Sequence, residues 1–101
     1  MLMYELVMTD GAEIELSGIR PFDGRRVMHE IETQLIREPA VATRSRKKLD
    51  GVHPPFDAVP PVWELRVGEY RVFYDVDEER KRVYVRSVRR KPPHRTTEDI
   101  L

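Results

Sequence analysis

Cysteine is missing from all 101 residues. That excludes disulfides, thiolate nucleophiles and cysteine-based zinc sites, and it suits a reducing cytosol. Net charge is missing too: 18 basic side chains balance 18 acidic ones. The chain as a whole therefore offers no electrostatic case for a nucleic-acid partner. No apolar run nears the roughly 20 residues of a membrane span. The opening "MLMYELVMTDGAEIEL" lacks a basic n-region and meets acids early, so it does not read as a signal peptide. Glycine is scarce, at five residues, and none forms a phosphate-cradling loop or a GxSxG elbow. Three histidines, His29, His53 and His94, lack ligand spacing, so no metal site is expected.

Charge is plentiful and unevenly placed. Charged residues make up 36% of the chain and hydrophobic ones 40%, enough for one modest core in a single domain spanning 1–101. Residues 1–43 hold four basic and eight acidic side chains; residues 44–101 hold fourteen and ten. From Arg80 to Arg95 there are eight Lys or Arg and no carboxylate. Such a run is usually a solvated face, and it can also form a local cationic cleft.

The periodicities outline an α+β domain. Met3–Thr9 reads as a strand. Residues 10–19 fit a hairpin closed by Asp10-Gly11, or, preferably, a short helix capped by Asp10. A helix follows from an Asp23 cap to about Arg37, with Val27, Met28, Ile31, Leu35 and Ile36 on one side. "VATRSRKKLDG" reads as one more helical turn or as an extended arm. Residues 51–62 hold four prolines and form a rigid connection at the edge of the domain.

Three alternating segments then predict an antiparallel meander. Trp63, Leu65 and Val67 alternate with Glu64 and Arg66; Tyr70, Val72, Tyr74 and Val76 with Arg71, Phe73 and Asp75; Val83, Val85 and Ser87 with Tyr84, Arg86 and Val88. Trp63, Tyr70, Tyr74 and Tyr84 are expected in the core. The period of two puts Glu64, Arg66, Arg71 and Phe73 together on the other face. The tail "RRKPPHRTTEDIL" breaks pairing at Pro92-Pro93 and gives Thr96 or Thr97 as the cap of a final turn.

The order of elements, with "WELRVGEYRVFYDV", the strand "VYVRSVRRK" and the segment "TRSRKKL", resembles the RelE/ParE superfamily of type II toxin–antitoxin toxins over nearly the whole chain. The resemblance implies a twisted antiparallel sheet of about four strands with two or three helices packed on one face. It also implies a cytoplasmic toxin, bound by a cognate antitoxin, that needs no cofactor. The RelE branch cleaves mRNA at the ribosome without a metal; the ParE branch poisons gyrase instead. A catalytically degenerate member acting by protein binding is a third reading. A homodimer or a toxin–antitoxin hetero-oligomer is compatible with this reading, and nothing in the sequence requires the dimer.

Metal-free RNA cleavage needs a base for the 2′-hydroxyl, cations for the charge on the phosphorane, and help for the leaving 5′-oxygen. By resemblance, Arg71 matches the phosphate-stabilising arginine, and Arg66 falls near a position where active relatives carry lysine. Lys91 and Arg90 fall where the family has a cation after the last strand. Glu64 stands where lysine is favoured and is a candidate base. No tyrosine follows the last strand, which leaves His94 as a candidate acid or base. Arg44, Arg46, Lys47, Lys48, Arg86 and Arg89, with Arg90, are the expected RNA-binding set. The competing reading of Arg71 is a sheet arginine paired with Asp75 or Glu64.

Overall fold

In the computed structural model, which describes residues 3–101, the chain forms β1 (Glu5–Met8), α1 (Asp10–Ser17), α2 (Pro21–Gln34), β2 (Arg46–Leu49), β3 (Val62–Val67), β4 (Tyr70–Asp77), β5 (Arg82–Arg90) and α3 (Thr97–Ile100). Among the described residues no helix is long and apolar enough to cross a membrane.

Residues 10–17 are helical, and the residue before them sets the start. Thr9 Oγ1 accepts from the Ala12 amide at 3.3 Å, so Thr9, not Asp10, is the cap. Asp10 and Glu13 then lie in the first turn, where the helix dipole favours acids. In α2 the expected Asp23 cap gives way to an earlier start, with Pro21 in the first turn supplying a helical φ. Asp23 instead bonds Arg20 at 3.1 Å and accepts from the Tyr70 hydroxyl at 3.2 Å. The helix also stops at Gln34, short of Arg37.

The sheet has five strands in the order β1-β5-β4-β3-β2. The ambiguous arm at 41–51 supplies β2, antiparallel to β3, and so adds a strand to the expected set. β1 pairs with β5 in parallel, so the sheet is mixed rather than wholly antiparallel. Ala12 of α1, Val27 and Ile31 of α2, and Leu35 at its C-cap pack on Trp63, Leu65, Val67, Val72, Tyr74, Val83, Val85 and Val88. Truncating a fully buried residue here, such as Ile31 to Ala, would cost about 2–5 kcal/mol. Trp63 and Tyr74 stack inside this core at 6.3 Å, and the Tyr74 hydroxyl donates to the Pro39 carbonyl at 2.7 Å. Burial pushes that phenol well above its ordinary pKa.

The second face is partly covered as well. The proline loop lays Phe56 on Phe73 at 5.9 Å, and the Val59 amide donates to Asp75 at 3.0 Å. α3 lies on this second face too, tied to Glu64 and Arg89, so among the described residues α1 and α2 form the helical layer against the core. Tyr84 is not in the core as expected: it is half-buried on the second face, with the Arg86 guanidinium 4.8 Å from its ring centre. Tyr70 sits half-buried at the rim of the core.

A bulge corrects the alternation in β5. Phe73 pairs with Ser87 but Tyr74 with Val85, which leaves Arg86 as the extra residue. Beyond it every side chain changes face. Val88 enters the core opposite Val72, while Ser87 and Arg89 join Phe73 and Arg71 on the second face. β1 stops at Met8, level with Val85, so among the described residues the rest of the β5 edge has no neighbouring strand. The Glu15 carboxylate takes its place, accepting from the Ser87 hydroxyl at 2.7 Å and the Val88 amide at 3.2 Å.

Candidate functional site

The hairpin β3–β4 determines the site. Gly68 turns it with φ +57°, a conformation that suits glycine, and a Cβ there would lie 2.8 Å from the Arg26 guanidinium. The turn's register sets Arg66 directly opposite Arg71, and Arg71 directly opposite Arg89. Like charges in cross-strand positions are destabilising by some tenths of a kcal/mol. Cross-strand pairing itself therefore does not favour three arginines abreast.

Each of the three is held differently. Arg89 donates to the Ile100 carbonyl at 2.9 Å and to Ser87 at 2.9 Å, lies 3.7 Å from the Glu15 carboxylate and 5.4 Å from the Phe56 ring centre. Arg71 is only 8% exposed, and its Nη1 donates to the Gly68 and Tyr70 carbonyls at 2.8 and 2.9 Å. No carboxylate among the described residues lies within ion-pair distance of it, so neither Asp75 nor Glu64 takes the pairing role. Burial draws its pKa below the ordinary arginine value; the charge of Glu64 opposes that shift and Arg66 adds to it. Arg66 is exposed.

Beside this pair lies a hollow of about 160 Å³. Arg44, Lys47, Arg66, Arg71 and Lys91 bring cations to its lining, against one carboxylate, Glu64. Glu64 is 4% exposed, a costly position for an ionised group without partners. Its partners are Thr97 Oγ1, donating to Oε2 at 2.7 Å, and Lys47 Nζ, 3.8 Å from Oε1. Guanidinium forks and ammonium groups around one buried carboxylate suit a phosphodiester with an adjacent hydroxyl.

Six of the twelve predicted site residues thus meet: Arg71, Arg66, Lys91, Glu64, Arg44 and Lys47. The others do not bring their charges there. Arg46 contributes to the hollow's wall, but its guanidinium lies on the helical face. There it donates to the Val41 carbonyl at 3.1 Å and the Gln34 carbonyl at 3.1 Å, satisfying the end of α2. Lys48 stands exposed opposite Trp63 on the outer strand. Arg86 grips Asp75 through two bonds at 2.7 and 3.2 Å. Arg90 pairs with Glu69 at 3.1 Å across the hairpin. His94 is exposed outside the hollow, at φ +68°.

Thr97, Thr43 and Ser45 line the hollow and were not anticipated. For Thr97 a signal existed: a strand glutamate facing inward needs a donor, and the tail carries a capping pattern that fixes its hydroxyls. Thr96 forms that capping box with Asp99, which leaves Thr97 free to face the sheet.

Compared with known proteins, the sequence matches no family model and no curated protein. Solved structures do match. A chain of the toxin–antitoxin complex RelBE2 from Mycobacterium tuberculosis is 24% identical, with TM-score 0.70 over 89% of this chain and 100% of that one. The chain has a RelE-like fold. A chain of the archaeal RelE–RelB complex from Pyrococcus horikoshii OT3 agrees, at 24% identity and TM-score 0.66, covering 92% of this chain and 98% of that one. The RelE-like sheet is what sets the arginine row beside the hollow, since both depend on the β3–β4–β5 meander.

Proposed function

We propose that this protein is the toxin of a toxin–antitoxin pair and a metal-independent endoribonuclease that cuts mRNA at the ribosome. The observation that carries the reading is the hollow: cationic groups from β2, β3, β4 and the end of β5 around one buried carboxylate. The RelE-like fold supports it, because the two solved relatives are chains of toxin–antitoxin complexes. A cytoplasmic setting and an antitoxin that covers the hollow belong to the same reading.

In this mechanism Glu64 accepts the proton of the ribose 2′-hydroxyl. The 2′-oxygen then bonds to phosphorus in line with the departing 5′-oxygen, and the phosphorus–5′-oxygen bond breaks. The products are a 2′,3′-cyclic phosphate and a 5′-hydroxyl, with the leaving oxygen protonated from the Lys91 ammonium. Arg71 and Arg66 stabilise the charge that grows on the phosphorane. Lys47 and Arg44 hold the neighbouring backbone phosphates.

The test is induction in a bacterial host with mapping of mRNA ends, for the parent and Arg71→Ala. Translation arrest with new 5′-hydroxyl ends, absent from the folded variant, is the expected result. A DNA-damage response with intact mRNA would point to gyrase as the target, and normal growth would leave only a protein-binding role.

A further inference from the structure

The nuclease reading uses Glu64 but leaves unexplained why the chain's last residues are fastened to the same face. The segment after β5 is tied at three points. Its root is held by the Lys91 amide on the Glu69 carbonyl at 2.6 Å, and its end by the Arg89 guanidinium on the Ile100 carbonyl at 2.9 Å. Between them Thr97, only 8% exposed, donates its hydroxyl to Glu64 Oε2 at 2.7 Å. The hydroxyl has one proton, and it is committed to that oxygen. Among the described residues Oε1 keeps only the Lys47 ammonium at 3.8 Å, longer than a hydrogen bond, so its acceptor capacity is open.

We propose that Thr97 is the positioning residue for Glu64. Its hydroxyl holds one carboxylate oxygen so that the other faces the hollow and takes the 2′-hydroxyl proton. This assignment rests on the nuclease reading. A base swung away by about 1 Å loses on the order of 100-fold in rate even when substrate still binds. Thr97→Val keeps the shape of the side chain and removes the donor, whereas Thr97→Ser keeps the donor.

The experiment measures cleavage of mRNA on purified ribosomes by the full chain and both variants. It also measures the affinity of each for the same ribosomes carrying an uncleavable RNA with a 2′-O-methyl group at the scissile ribose. Thr97→Val is expected to lower kcat about 10-fold to 100-fold, with KM and affinity for the uncleavable RNA within about 2-fold of the parent. Thr97→Ser should recover most of the rate. Overturning results are a Thr97→Val protein that cuts like the parent, a Thr97→Ser protein that falls as far as Thr97→Val, or affinity that falls in step with rate. The last would make Thr97 part of the wall of the hollow only. A parent that binds the uncleavable RNA but cuts nothing overturns the nuclease reading and this assignment together. A parent that cuts alongside an equally fast Thr97→Val overturns this assignment alone.

Discussion

The two ends of the second sheet face use the same side-chain types and arrive at opposite outcomes. Toward the β4–β5 turn, Arg86 and Asp75 lock to each other through two bonds, and Asp75 spends a further lone pair on the Val59 amide. Charge there is consumed within the fold. Toward the β3–β4 turn, Arg71 is nearly as buried as Asp75 but leans on carbonyl oxygens, and Glu64 meets a hydroxyl and a distant ammonium. Charge there is left available to a ligand. Arg46 sharpens the contrast: it is 8% exposed, like Arg71, yet its guanidinium satisfies the end of α2. A count of arginines cannot separate these roles; the identity of each acceptor can.

Substitutions at the two ends should break this comparison in different currencies. The largest effect is expected from Arg71→Ala, which removes a phosphate-stabilising cation and should slow RNA cleavage about 100-fold to 1,000-fold, measured on the folded protein by single-turnover assay. Asp75→Ala should do the reverse. It strands the partly buried Arg86 and the Val59 amide, lowering stability by about 3 kcal/mol in urea unfolding, with cleavage per folded molecule unchanged. Tyr74→Phe deletes the bond to Pro39 in the core and should cost about 1 kcal/mol in the same assay. Lys47→Ala should weaken single-stranded RNA binding and reduce the magnitude of the slope of log K against log salt by about 0.7, read by titration at several salt concentrations.

The smallest effect concerns pH. The Thr96 amide, the main influence on Asp99, holds its carboxyl below the ordinary carboxylate range. A lowered folded value means this stabilisation is present above the unfolded pKa and fades as pH falls through the folded one. The protection of the α3 amides, measured as hydrogen exchange relative to the intrinsic rate at each pH, should therefore fall on acidification below about pH 4, and Asp99→Asn should flatten that dependence. Unchanged exchange down to the folded pKa would remove the capping box from the account.

Much of this was legible in the chain itself. Alternation along 62–77 put Arg66, Arg71 and Glu64 on one face, because period two leaves no other choice in a hairpin with one buried side. The 3.6-residue pattern likewise gave Val27, Ile31 and Leu35 to the core. Three things were not legible. "RKKL" has the charge of a solvated run, and only pairing with β3 makes it a strand. The extra residue at Arg86 reverses the faces of Ser87, Val88 and Arg89, and no local signal announces it. The direction of the Arg46 side chain depends on where α2 ends, which is a tertiary fact.

The Glu15 carboxylate on the Val88 amide has a consequence for the company this molecule keeps. A strand margin with vacant amides recruits foreign strands, and recruitment of that kind leads to aggregates. By plugging the vacancy with an acid from its own first helix, the chain refuses such visitors along that seam, while the lysines of the opposite outer strand discourage them electrostatically.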